Sequence, residues 1–117
     1  MKMAFHDNLL GLAVGTGGII LRTTDVGLTW TTILIENTNQ YNDVHFLNEQ
    51  TVFVVGTLGR VYRSQNGGLN WTRITPGTSA SLFSIVFITP DVGYITTSTF
   101  GTNLKTTNGG LSWSNDA

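Results

Sequence analysis

Residues 56–71, GTLGRVYRSQNGGLNW, occur twice more in the chain with changes, as GTGGIILRTTDVGLTW at 15–30 and as STFGTNLKTTNGGLSW at 98–113. Trp30, Trp71 and Trp113 close the three copies and stand 41 and 42 residues apart. The match continues upstream, where Phe5, Phe46 and Phe87 fall in register. The third copy carries one extra residue, assigned to the turn around Pro90 and Asp91. Self-similarity of this length, in triplicate and at a near-constant period, marks a structural repeat, and a repeat governs the fold.

A period just over forty residues suits either a four-stranded propeller blade or a helical pair of the HEAT or armadillo kind. Composition separates the two. The chain has 14 Gly and 2 Pro, and short β-rich runs are broken by Gly, Asn or Asp every few residues. No ten-residue stretch holds a 3.6-residue apolar period without a glycine, so helices are excluded. In the second copy the expected strands are 43–47, 51–56, 60–64 and 70–74; in the third, 84–88, 93–97, 102–106 and 112–114. The second strand of the middle copy is almost wholly apolar (Val52, Phe53, Val54, Val55), as a strand buried on both faces must be. The chain therefore reads as all-β, three four-stranded blades in one repeat domain over 1–117: blade 1 at about 1–36, blade 2 at 41–77 and blade 3 at 82–117.

Each copy ends in Thr/Ser-x-Asp/Asn-x-Gly-x-x-Trp, namely Thr23, Asp25, Gly27 and Trp30; Ser64, Asn66, Gly68 and Trp71; Thr106, Asn108, Gly110 and Trp113. The Asp or Asn side chain can fold back onto backbone N–H groups of a turn. The glycine supplies positive φ, and the indole can pack beneath the turn for about 3–5 kcal/mol per ring. Trp71 is expected to matter most, because blade 2 has a neighbour on either side.

These residues resemble the Asp-box, or bacterial neuraminidase repeat. With the preceding Gly-Thr-x-Gly and the Asn-Gly-Gly-Leu-x-Trp ending, the fuller repeat is most similar to the photosystem II stability/assembly-factor-like propellers. The resemblance spans nearly the whole chain. It implies a propeller in which the box is structural and lies at the blade periphery, in families often extracytoplasmic. It leaves function open, since such boxes occur in sialidases, xyloglucan-degrading enzymes, sortilin-type receptors and assembly factors.

Composition narrows the classes. Six basic and seven acidic residues are scattered singly and give a net charge of −1, so there is no basic stripe of the kind nucleic acids require. Cysteine is absent, which removes disulfides, thiolate metal sites and thiol nucleophiles. No apolar run approaches the ~20 residues of a membrane-spanning helix. Asp7 interrupts the N-terminal stretch before the apolar core of a signal peptide could form.

Catalytic candidates are few. A sialidase grips its substrate carboxylate with three arginines, but Arg22 and Arg63 share one repeat position with Lys105 and so serve the blade. Arg60 alone is out of register. A glycosidase needs two facing carboxylates; only Glu36 and Asp43, which flank the blade 1–2 connection, could form such a pair. His6 and His45 lack further ligands and make no metal site, with His45 read as a channel-lining or strand-face residue. Gly15–Gly18 lies between strands and not before a helix, so it is no phosphate loop. No cofactor is implied.

What remains is a recognition face built from the connections between blades and the turns at Gly17, Leu58 and Phe100. Tyr41, Leu58, Arg60 and Phe100 are the out-of-register ligand-binding candidates there, Arg and aromatic residues being common interface anchors. The reading is a non-catalytic binding or assembly module with a protein or glycan partner. A fragment of a sialidase- or xyloglucanase-type enzyme is the alternative. Three blades cannot close a ring, so an apolar face is expected at each end. Two chains joined head to tail would then make a six-bladed homodimer.

Overall fold

The computed structural model describes residues 2–7, 9–34, 40–98 and 103–115. Among these, twelve strands form three antiparallel sheets, each a meander in chain order. Blade 1 holds β1 (Lys2–Phe5), β2 (Gly11–Val14), β3 (Ile19–Thr23) and β4 (Thr31–Leu34). Blade 2 holds β5 (Tyr41–Phe46), β6 (Val52–Gly56), β7 (Val61–Ser64) and β8 (Thr72–Ile74). Blade 3 holds β9 (Leu82–Phe87), β10 (Gly93–Thr97), β11 (Asn103–Thr106) and β12 (Ser114–Asn115). The first strands of blades 2 and 3 begin two residues earlier than expected, and their fourth strands begin two later because the turn before them runs through its tryptophan. Single 3-10 turns at Thr16–Gly18 and Thr57–Gly59 link second and third strands.

The pairing register moves the extra residue of the third copy. Phe5 pairs with Gly11, Phe46 with Val52 and Phe87 with Gly93, so the first turn has one length in all three blades. Val55 pairs with Val61 and Val14 with Ile20, whereas Thr96 pairs with Asn103. The insertion therefore lies within 97–102 and not at Pro90–Asp91. A shared turn chemistry explains the constant length. Asp7 Oδ1 accepts the N–H groups of Leu9 and Leu10, Asn48 Oδ1 those of Gln50 and Thr51, and Thr89 Oγ1 those of Asp91 and Val92. These three caps stand at one repeat position, and local Asx and ST turns of this kind fix a turn without a glycine.

Each sheet is a single layer, so its apolar side chains are buried only against the next sheet. Two clusters result. Between blades 1 and 2, Leu12, Val14 and Ile20 meet Tyr41, Val44, Val52, Val54 and Tyr62. Between blades 2 and 3, Phe53, Val55 and Val61 meet Leu82, Ile85, Ile95, Leu104 and Trp113. Strand β6 contributes to both because successive side chains alternate in direction, which is why all five of its residues are buried.

The tryptophans follow the same logic. Trp113 is 8% exposed, whereas Trp71 only partly packs on the first cluster and Trp30 is half-buried against Phe5. The ring depends on the preceding blade: blade 2 offers Phe53 to the turn of blade 3, and blade 1 offers the smaller Leu12 to the turn of blade 2. Trp113, and not Trp71, is the best-covered ring.

The open end faces differ. On blade 1, Met3 is 57% and Phe5 42% exposed, the expected apolar face. On blade 3, Ile95 and Leu104 point inward, so alternation puts Tyr94, Thr96, Asn103 and Lys105 on the outer face. Blade 2 carries Phe53, Val55, Val61 and Arg63 at those positions. The outer face of blade 3 is therefore mixed: beside Tyr94, Thr96, Asn103 and Lys105, Phe83 and Val86 of β9 and Ile88 just after it are exposed.

Candidate functional site

The three repeated turns are built alike. In blade 1 the Thr23 hydroxyl donates to Asp25 Oδ1 (2.7 Å) and accepts the Gly27 N–H (3.1 Å), while Asp25 Oδ1 accepts the Thr29 N–H (2.9 Å). Ser64 and Asn66 repeat this with Gly68 and Asn70, and Thr106 and Asn108 with Gly110 and Ser112. Each indole N–H then donates to the glycine carbonyl of its own turn at 3.0–3.1 Å. Asp25 is the only ionisable member. Hydrogen bonds from the Thr29 hydroxyl, the Thr29 N–H and the Thr23 hydroxyl stabilise its charged form and hold its pKa down at about 2. Every polar group of the motif is thus engaged within its turn.

The turns also clasp neighbouring blades. Arg22 Nε donates to the Gly67 carbonyl of the next turn at 2.9 Å. In blade 3, which has no such neighbour here, the in-register Lys105 lies 5.7 Å from the centre of the Tyr94 ring.

The four ligand-binding candidates do not come together as one exposed patch. Tyr41 is 2% exposed and lies in the first cluster, its ring edge-on to Tyr62 at 5.9 Å. Its place in the sequence explains the burial: it opens β5, where its in-register partner Leu82 is also buried, so this position fills a joint. Arg60 is half-buried, with Nε and Nη1 out of solvent. Leu58 is 58% exposed at the tip of its 3-10 turn, with φ of 59°. Phe100 lies outside the described residues.

Of the candidate acid pair, Glu36 also lies outside the described residues. Asp43 is fully engaged: Oδ1 accepts the Val44 N–H at 2.9 Å and Oδ2 the Ile85 N–H of blade 3 at 3.0 Å. Beside it, Asn42 Nδ2 donates to the Leu82 carbonyl at 2.8 Å. The two side chains stitch blade 2 to blade 3. Asn42 was not singled out in the sequence, although it sits next to Asp43 and differs in type from its in-register partner Phe83.

The histidines also sit at joints. His6 stacks at 5.8 Å on Phe46 and His45 at 5.6 Å on Phe87, each on the next blade. Burial of His45 lowers its pKa, with Asp43 opposing, so the ring favours its neutral form. Among the described residues no group of three or more His, Cys, Asp or Glu could hold a metal ion. No helix among them is long and apolar enough to cross a membrane.

Comparison with known proteins places the fold. A solved YCF48 bound to D1 peptide superposes with a TM-score of 0.82 at 24% identity, over 97% of this chain and 37% of that one. YCF48 from Cyanidioschyzon merolae matches with a TM-score of 0.82 at 28% identity, over 98% and 38%. The GH74 enzyme of Niastella koreensis shares the fold at a TM-score of 0.63 and 22% identity, over 99% of this chain and 17% of that one. The chain thus spans less than two-fifths of the YCF48 structures it matches. A comparison with curated proteins finds no match. The family model described as photosynthesis system II assembly factor YCF48 matches residues 1–117 throughout, and the chain belongs to that family of β-propellers.

Proposed function

We propose that this chain is a non-catalytic piece of a protein-binding propeller, engaged in holding a partner polypeptide during assembly of a photosynthetic complex. The observation that carries the reading is the state of Asp43. Oδ1 accepts the N–H of the adjacent Val44 within blade 2 and Oδ2 accepts the Ile85 N–H of blade 3, so the residue best placed for acid–base chemistry serves the scaffold. A peptide bound to a similar propeller supports a protein partner over a glycan.

The experiment pairs a binding assay with an activity assay. The chain is titrated by calorimetry with the D1 peptide that the similar YCF48 binds, and incubated in parallel with xyloglucan oligosaccharides and sialosides. Saturable peptide binding without turnover is the expected result. Turnover that disappears in Asp43→Asn would overturn it, as would an absence of peptide binding.

Closure by a second copy would seat blade 3's Thr96 and Asn103 where the blade 2–3 joint has Val55 and Val61. That difference weighs against closure by a second copy of this chain. Sedimentation at micromolar concentration decides the state: a monomeric mass is expected, and a dimer of closed-ring dimensions would establish the six-bladed homodimer.

A further inference from the structure

Where blades 1 and 2 meet, Lys2, Gly15, Thr16, Gln40, Tyr41 and Asn42 enclose a cleft of about 150 Å³. One repeat further on, Gly56 and Thr57 preserve the glycine and threonine. The other four positions change: Asp43, Ser81, Leu82 and Phe83 stand where the cleft has Lys2, Gln40, Tyr41 and Asn42. A scaffold repeats its own needs in register. Four departures converging on one joint therefore mark a local specialisation.

The chemistry of the departures is consistent. At the second joint Asp43 accepts the Ile85 N–H of the following blade. An ammonium at the same position cannot accept, so Lys2 cannot fill that role. Among the described residues Lys2 forms no ion pair. Among the described lining residues it is the only cation and none is a carboxylate. Gln40 donates one amide hydrogen to Asn42 Oδ1 at 2.9 Å, which leaves its second hydrogen for a ligand. The hydroxyl of exposed Thr16 is a further donor. One positive charge flanked by neutral donors matches one carboxylate, whose two oxygens take several such bonds. A phosphate dianion would leave a negative charge unmatched. At about 150 Å³ the cleft has room for a carboxylate with one or two methylenes.

We propose that this cleft is a carboxylate-binding site that takes the side-chain end of an acidic residue on a partner protein. Lys2 is its charge partner, and Gln40 and Thr16 are its hydrogen-bond donors. Only the source of the carboxylate rests on the protein-binding reading above.

The test is an ¹H–¹⁵N NMR titration of the full chain with three probes: acetyl-Gly-Glu-Gly-amide, its Gln counterpart and sodium acetate. The Glu peptide should shift the amides of Gly15, Thr16, Gln40 and Asn42, and the Gln peptide should not. Lys2→Met should weaken the response about tenfold, the scale of one lost charge-assisted contact, while Lys2→Arg should keep it within about threefold. Lys2 is exposed, so neither variant threatens folding. Acetate matching the Glu peptide would assign the site to free small carboxylates, and a weaker acetate response would assign it to a peptide. Equal responses to the Glu and Gln peptides, no response at all, or an unchanged affinity in Lys2→Met would overturn the site. Peptide binding in the calorimetric assay without a response here would place the partner on another surface, and the reverse would leave the cleft standing without the assembly role.

Discussion

Replacing Gly110 by alanine tests whether the turns and the blade joints are one structure. Gly110 has φ of +87° and Gly27 has +85°, so alanine meets the same left-handed backbone at both. That strain costs about 1–2 kcal/mol and is offset by about 0.4–1 kcal/mol from a stiffer unfolded chain. The surroundings differ. At Gly27 a Cβ would lie 3.4 Å from Trp30 Cζ2, an ordinary contact. At Gly110 it would overlap the Phe53 ring of blade 2, 2.6 Å from Cε1, with Phe87 Cζ at 3.3 Å. Phe53 is 0% exposed and stacked at 5.1 Å on Phe87, so it has no room to yield, and overpacking of this kind costs about 1–3 kcal/mol. Gly27→Ala should therefore cost about 1 kcal/mol and Gly110→Ala about 2–4 kcal/mol. Urea denaturation followed by tryptophan fluorescence measures both. Phe53→Leu, which installs the residue type that Leu12 provides at the other joint, should recover at least 1 kcal/mol in the Gly110→Ala background as a coupling energy. Equal costs at the two glycines, or no recovery by Phe53→Leu, would refute the seating of the blade 3 turn on blade 2.

Three further outcomes follow from the same geometry. Truncation to alanine should cost most at Trp113, about 3–5 kcal/mol, less at Trp71 and least at Trp30, measured by the same denaturation with a shared reporter. Val26 holds φ of +67° where the other blades have Gly67 and Gly109, a strained conformation for a β-branched residue; Val26→Gly should raise stability by about 0.5–1 kcal/mol after the unfolded-state offset, visible as a higher melting temperature. Because the Asp25 pKa is depressed, its contribution is full above its unfolded value near 4 and is lost as pH falls towards about 2; Asp25→Asn, the residue type that blades 2 and 3 already use, should flatten the decline of melting temperature with pH in that window.

The sequence made the architecture legible because each blade repeats the same needs. The Thr/Ser hydroxyl, the Asp/Asn carbonyl and the Trp appear three times, and a triplicate pattern is hard to misread. The turn caps Asp7, Asn48 and Thr89 repeat as faithfully. They passed unnoticed because three residue types perform one job, and attention to Pro90 misplaced the insertion. The burial of Tyr41 was harder to read for the opposite reason: it has no counterpart in blade 1, and only Leu82, one repeat later, pointed to a buried position. Asp43 could not be judged from sequence, because its partner Ile85 lies 42 residues away across a joint.

The placement of the apolar clusters between sheets has a consequence for how such a chain tolerates change. A blade here has no interior of its own; it owns half of two seams. A substitution on β6 is felt upstream through Val52 and Val54 and downstream through Phe53 and Val55, and nowhere else directly. Stability then adds along the chain as nearest-neighbour terms. A blade could be exchanged for a relative's without matching its sequence, provided both of its seams were matched, so the natural unit of variation in this protein is the joint.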